Sequence, residues 1–133
     1  MSFNVLVVDD DATTRRILGR LLTKRFGATV REAEDGLQGF LAVEADVPDL
    51  ILLDVSMPVV DGPELLEKLR GDPRFAAIPV VTVSAAGERE VVMRMIDLGI
   101  IDYLRKPLNI AAIEKRLTRV LEGAGFVARE ESR

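Results

Sequence analysis

The chain has no cysteine, no histidine and no tryptophan among its 133 residues, and a single tyrosine. Disulfides, thiol nucleophiles, imidazole general bases and almost every structural zinc site are thereby excluded. Any metal has to be a hard cation held by oxygen. There is no basic excess either: 18 Lys and Arg against 22 Asp and Glu give a net charge of -4, which argues against direct nucleic-acid binding, since phosphate backbones demand a basic face. Long apolar runs are missing as well. The longest, such as Leu50 to Leu53 or Val80 to Val83, fall far short of the roughly 20 residues of a membrane span, so a soluble protein is expected, with no membrane partner. Met1-Ser2-Phe3-Asn4 leads into a strand-like segment without the regions of a secretory signal, and a cytoplasmic location follows as the expectation.

What is present is the balance of an ordinary globular domain: 48% hydrophobic and 30% charged residues, enough apolar material for one core. Five apolar runs, Val5 to Val8, Ala28 to Ala33, Leu50 to Leu53, Val80 to Val83 and Asp102 to Leu104, alternate with segments of helical period. The first, third and fourth are Val, Leu and Ile with no polar alternation, Thr82 alone interrupting the fourth, as central parallel strands covered on both faces require. The second carries Arg31 and Glu32 and reads as an edge. Helical stripes are expected from Ile17, Leu18, Leu21 and Leu22, then from Leu37, Phe40 and Leu41, then from Leu65, Leu66 and Leu69. A fourth comes from Val91, Val92, Met95 and Ile96, and a fifth from Ile110, Ile113, Leu117, Val120 and Leu121. Five βα units with right-handed crossovers predict an α/β, doubly wound, flavodoxin-like (βα)5 parallel sheet with strand order 2-1-3-4-5. The domain is expected over residues 1–122, with 123–133 a tail or the start of a linker.

All strands of a parallel sheet end at one edge, so the residues that follow each run gather there. They are Asp9, Asp10 and Asp11 after the first run, Asp54 after the third, Ser84 at the end of the fourth, and Lys106-Pro107 after the fifth. Two carboxylates ~4 Å apart repel by about 1 kcal/mol in water and about 4 at an effective dielectric of 20. A divalent cation would relieve that repulsion, and Mg2+ suits a few carboxylates completed by water and phosphate oxygens. A carboxylate can also attack a phosphoryl group where cations neutralise the developing charge.

Val7-Val8-Asp9-Asp10, Asp54-Val55-Ser56-Met57-Pro58 with Asp61-Gly62, Ser84-Ala85, and Tyr103-Leu104-Arg105-Lys106-Pro107, in that order and each at a strand end, resemble the receiver domains of response regulators in bacterial two-component signalling, over roughly residues 3–122. The resemblance implies a phosphorylation-activated switch rather than a turnover enzyme, one that assists its own phosphorylation and dephosphorylation. By it, Asp54 is the phosphoacceptor, and Asp9, Asp10, Asp54 and the Ser56 carbonyl hold Mg2+. Lys106 contacts the phosphoryl group, the bond before Pro107 is cis, and Ser84 and Tyr103 form the switch pair that alters the face of the fourth helix, fifth strand and fifth helix. The phosphoryl lifetime would be tuned from Ser56 and Ala86, and neither carries a charge. The implied partners are a histidine kinase or histidine phosphotransfer protein, and a downstream target or an output domain outside this chain.

Plainer readings stand beside these. Asp11 suits a helix N-cap, and Asp61-Gly62-Pro63-Glu64 suits a capping box. Tyr103 is equally at home as an ordinary strand aromatic. A Mg2+-dependent phosphohydrolase with an aspartyl-phosphate intermediate is the alternative from the enzyme class, although no cap insertion and no second acid at Ser56 accompany Asp54. A pseudo-receiver working without phosphorylation is the third.

Overall fold

A computed structural model describes residues 3–123 and 125. Strands β1 (Asn4–Val8), β2 (Thr29–Ala33), β3 (Leu50–Asp54), β4 (Val80–Ser84) and β5 (Asp102–Arg105) alternate with helices α1 (Ala12–Phe26), α2 (Gly36–Ala45), α3 (Gly62–Arg70), α4 (Arg89–Asp97) and α5 (Ile110–Gly123). The strands form one parallel sheet in the order β2-β1-β3-β4-β5. β2, the run with Arg31 and Glu32, lies at an edge as its polarity demands. β3 and β4 are buried along their whole length, including the polar Asp54, Thr82 and Ser84. α5 continues through Gly123, where the sequence suggests a tail; apart from Gly125, the rest of that tail lies outside the described residues. No helix among the described residues is long and apolar enough to cross a membrane.

Strand alternation divides the interior in two. Val5, Val7, Leu50, Leu52, Val81, Val83 and Leu104 face α1 and α5, meeting Leu18, Leu22, Ile113 and Leu117. Leu6, Val8, Ile51, Leu53 and Val80 face the other way, against Val43, Leu65, Leu66, Leu69, Val92 and Met95 of α2, α3 and α4. Four of the five expected helical stripes supply these contacts. The second does so only through Phe40, partly buried against the core: Leu37 and Leu41 are exposed, and α2 otherwise buries Gly36, Gly39 and Val43. Gly39 lies so close to Val8 and Leu65 that an added methyl would press on both at 3.1 Å. A helix that comes this near the sheet packs through its small residues, which a count of large apolar side chains overlooks.

The helix ends follow local chemistry. Asp11 caps α1, accepting from the Thr13 N–H at 3.0 Å, and Gly27 closes it in the left-handed region at φ 67°. Asp35 caps α2, and Asp61 with Glu64 forms the expected capping box on α3. At the end of α3, the Arg70 guanidinium donates to the carbonyls of Ala76, Ile78, Leu98 and Gly99, stapling the end of α4 to the segment before β4.

The loop from Asp54 to Asp61 is held tightly at its far end. The Gly36 N–H donates to the Val60 carbonyl at 2.8 Å, and the Gly62 N–H to the Val55 carbonyl at 2.9 Å. A methyl on Gly36 would collide with the Val60 carbonyl, and one on Gly62 with the Asp54 carbonyl. Between these anchors Val59, 71% exposed, adopts φ 69°. A β-branched residue there carries backbone strain of about 1–3 kcal/mol, and its exposure means that no burial compensates it. Val59→Gly is therefore expected to raise unfolding stability by about 1 kcal/mol, the relief exceeding the entropic cost of glycine. Urea denaturation with an unchanged m-value checks this; a destabilised variant would place the strain elsewhere.

Candidate functional site

The carboxyl edge of the sheet brings Asp9, Asp10 and Asp54 together. One oxygen from each lies within 4.8 Å of the others, the only such acidic group among the described residues with metal-ligand spacing. β1 delivers Asp9, which is 1% exposed, and β3 delivers Asp54 at 4%; Asp10 is exposed. Between the two buried acids stands the Lys106 ammonium, 3.3 Å from Asp54 Oδ1 and 3.4 Å from Asp9 Oδ2. Lys106 follows β5, its own N–H donating to the Ser84 carbonyl at 2.7 Å, and the Lys106–Pro107 peptide is cis.

Asp9 is positioned from both sides. Its Oδ1 accepts from the Asp11 N–H at 2.9 Å, and its carbonyl accepts from Arg15, which also pairs with Glu32. Its Oδ2 is buried and has no hydrogen-bond partner, only the ionic approach of Lys106. A buried carboxylate oxygen left in this state is costly unless a cation completes it. The donor set fits a hard divalent ion: carboxylate oxygens alone, no nitrogen or sulfur, one exposed acid giving access from solvent.

Burial pushes the Asp54 carboxyl up to about 7, and the neighbouring Asp9 charge adds to the effect while Lys106 opposes it. Asp9 is raised as well, first by burial, against the Asp11 N–H and Lys106, which favour its charge. For Lys106 burial alone would lower the ammonium; the charges of Asp54 and Asp9 outweigh it and hold the group above its ordinary value. One fixed positive charge thus serves two buried negative ones, and the deficit is what a second cation would fill.

Ser84 ends β4, buried, while Tyr103 on β5 is 37% exposed. Alternation puts both on the α4 side of the sheet, opposite to Asp9 and Asp54, whose strand parity matches the α1 and α5 side. Ser84 and Tyr103 line one groove of about 530 Å3 with Arg89, Met93, Ile96 and Arg105. The Tyr103 ring lies under the Arg116 guanidinium, 5.4 Å from its centroid. Asp11 and Asp61 are occupied as caps.

One participant is absent from the sequence reading. Glu88, at the start of α4, accepts from the Ser56 hydroxyl with one carboxylate oxygen and from the Ala85 N–H with the other, each at 2.6 Å. Ser56 and Ala86 bear no charge, but a charge reaches Ser56 from this more distant residue. An acid after Gly87 reads in sequence as an ordinary helix-start acid, so only the turn itself reveals the crossing.

Known proteins resemble this chain in sequence and fold. A family model described as the response regulator receiver domain matches residues 5–118. The KDP operon transcriptional regulatory protein KdpE of Escherichia coli is 39% identical over 86% of this chain, which spans 49% of that protein's length. Chemotaxis protein CheY-3 of Vibrio cholerae is 30% identical, with 91% of this chain and 93% of that protein aligned. Among solved structures, chemotaxis protein CheY4 of Vibrio cholerae superposes with a TM-score of 0.82 at 28% identity, covering 91% of this chain and 100% of that one.

Because Asp54 and Asp9 bind protons more readily folded than unfolded, the stability they permit is full below the ordinary value of 3.8 and is lost as pH rises, for Asp54 through about 7. In metal-free buffer the thermal midpoint is expected to fall by more than about 5 °C between pH 5 and pH 8. Asp54→Asn, nearly isosteric and uncharged, is expected to flatten that fall. Thermal unfolding followed by circular dichroism decides it: a midpoint that rises over the same window would mean the carboxylates are stabilised, not strained, by their setting.

Proposed function

The chain belongs to the response regulator receiver domain family of two-component signalling, and we propose that it is a phosphorylation-driven switch in which Asp54 is the acceptor. The observation that carries this reading is the buried pair Asp9 and Asp54 sharing the single Lys106 ammonium, with Asp9 Oδ2 left without a hydrogen-bond donor. A carboxylate so placed is held in a fixed direction, poorly solvated and next to a fixed positive charge, as an oxygen nucleophile towards phosphorus requires.

In the proposed reaction an Asp54 carboxylate oxygen forms a bond to phosphorus as the bond from phosphorus to the donor's imidazole nitrogen breaks. The donor is a phosphohistidine on a histidine kinase or a histidine phosphotransfer protein, and its imidazole leaves with the electron pair of the broken bond. Lys106 stays charged and balances negative charge on the equatorial oxygens. Asp9, Asp10, Asp54 and the Ser56 carbonyl are the groups that would hold Mg2+, which supplies charge neutralisation and keeps the acceptor ionised at neutral pH. Asp9 and Asp10 orient and do not react.

The output follows from position. Ser84 and Tyr103 belong to the α4, β5 and α5 face, and the Ser84 hydroxyl turning towards the new phosphoryl oxygens would draw the β4–α4 loop inward. Tyr103, now 37% exposed beside a groove, then has room to turn in. A downstream protein, or an output domain beyond this chain, would read the altered face, whose Arg89 and Arg105 suit an acidic partner. A cytoplasmic location goes with this reading.

Intact-mass spectrometry after incubation with acetyl phosphate is expected to show one phosphoryl adduct on the wild type, dependent on Mg2+, and none on Asp54→Asn. An adduct on the variant would move the acceptor to another residue, and continuous release of phosphate from varied esters would favour a hydrolase.

Lys106→Ala is expected to lower phosphorylation by at least about tenfold while changing Mg2+ affinity far less, since the ammonium is aimed at the transferred group. Calorimetric Mg2+ titration beside the adduct rate separates the two; equal losses would make Lys106 a purely structural partner of the two acids.

A further inference from the structure

Glu88 crosses between two loops instead of serving its own helix. It occupies the N-cap position of α4 yet makes no side-chain cap bond. The carboxylate turns back, helped by Gly87 at φ 88° with open space around it. One oxygen accepts from the Ala85 N–H and the other from the Ser56 hydroxyl, both at 2.6 Å. These are short, charge-assisted bonds. Their donors flank the acceptor: Ser56 is two residues beyond Asp54, Ala85 directly follows Ser84, and Asp54 pairs with Val83 across β3 and β4.

An N–H and a hydroxyl converging on two oxygens of one anion are a donor set that a phosphoryl group uses equally well. We propose that the Glu88 carboxylate is an internal anion that holds the Ala85 N–H and Ser56 hydroxyl in the resting protein and is displaced when Asp54 is phosphorylated. This inference rests on Asp54 being the acceptor. Glu88 is a positioning residue: it does not touch the reacting atoms but keeps the β4–α4 loop tied to the β3–α3 loop, so that Ser84 cannot swing before the phosphoryl oxygens compete for the same donors. Released, its charge returns to the first turn of α4, where the helix N–H groups and dipole favour it. The exchange therefore trades one pair of anion contacts for another and leaves α4 newly capped, which links the chemistry to the end of the helix that borders the Tyr103 groove. A ligand-like side chain of this kind sets the resting population through differential contacts with the two states.

The test uses the whole chain with Mg2+ and beryllium fluoride, a tetrahedral anion that stands in for the phosphoryl group. Glu88→Ala is expected to tighten apparent beryllium fluoride affinity, and to speed phosphorylation by acetyl phosphate, by roughly tenfold, the scale of one or two lost competing hydrogen bonds. Glu88→Gln, which keeps the shape and loses the charge, is expected to fall between the two. The second readout is the Ala85 amide proton, which nuclear magnetic resonance should find far downfield in the resting wild type, shifted in Glu88→Ala, and shifted again when the wild type takes up beryllium fluoride. Glu88→Ala with unchanged or slower uptake, or an Ala85 amide indifferent to the variant, overturns the displacement. A wild type that takes up neither beryllium fluoride nor a phosphoryl group with Mg2+ would instead remove the acceptor reading, and the displacement with it.

Discussion

Asp9 and Asp54 stand buried at the carboxyl ends of adjacent parallel strands, with one ammonium between them. Left alone, two such charges would part or take up protons, so their proximity has to be enforced by something stiffer than they are. The enforcement comes from β1 and β3, apolar strands packed on both faces, which fix where their last residues emerge. The chain around Asp54 adds to it: Gly62 lies against the Asp54 carbonyl with no space for a side chain, and Gly36 ties the loop from its other side. The hydrophobic core is thus what makes an electrostatically unfavourable arrangement persist, and the fit of the site to a cation follows from that.

The same sheet also keeps two groups of polar side chains apart. Asp9 and Asp54 share the parity of the residues facing α1 and α5, whereas Ser84 and Tyr103 share that of the residues facing α3 and α4. The buried acids and the Ser84 and Tyr103 pair therefore lie on opposite sides of one layer and come together at its edge, where the loops after β3 and β4 pass each other. The bridge from Glu88 to Ser56 and Ala85 spans that meeting point. Arg70, gripping carbonyls before β4 and after α4, holds the far end of the same helix. One end of α4 is thus stapled, and its other end carries the Glu88 bridge.

Much of this was legible in the residues alone. Unbroken Val, Leu and Ile runs announce the central strands because burial on both faces leaves no alternation, and the acids directly after them are bound to meet once the strands are parallel. Asp11 and Asp61 were readable as caps since capping depends on neighbours in sequence. α2 was misjudged in its buried face because Gly36 and Gly39 pack by being small, leaving Leu37 and Leu41 outside. Glu88 and Val59 lay beyond reach for a different reason. The contacts of Glu88 depend on a turn at Gly87 that no periodicity encodes, and the left-handed Val59 contradicts its own residue type, so local preference points away from the answer.

Tyr103 has a consequence of another sort. It is the one tyrosine in a chain without tryptophan, and it sits half-open at the groove beside α4 with a guanidinium over its ring. Near-ultraviolet emission from the unlabelled protein therefore originates almost wholly from this one side chain at the rim of that groove. The molecule carries its own optical reporter, needing no dye, at the groove beside α4.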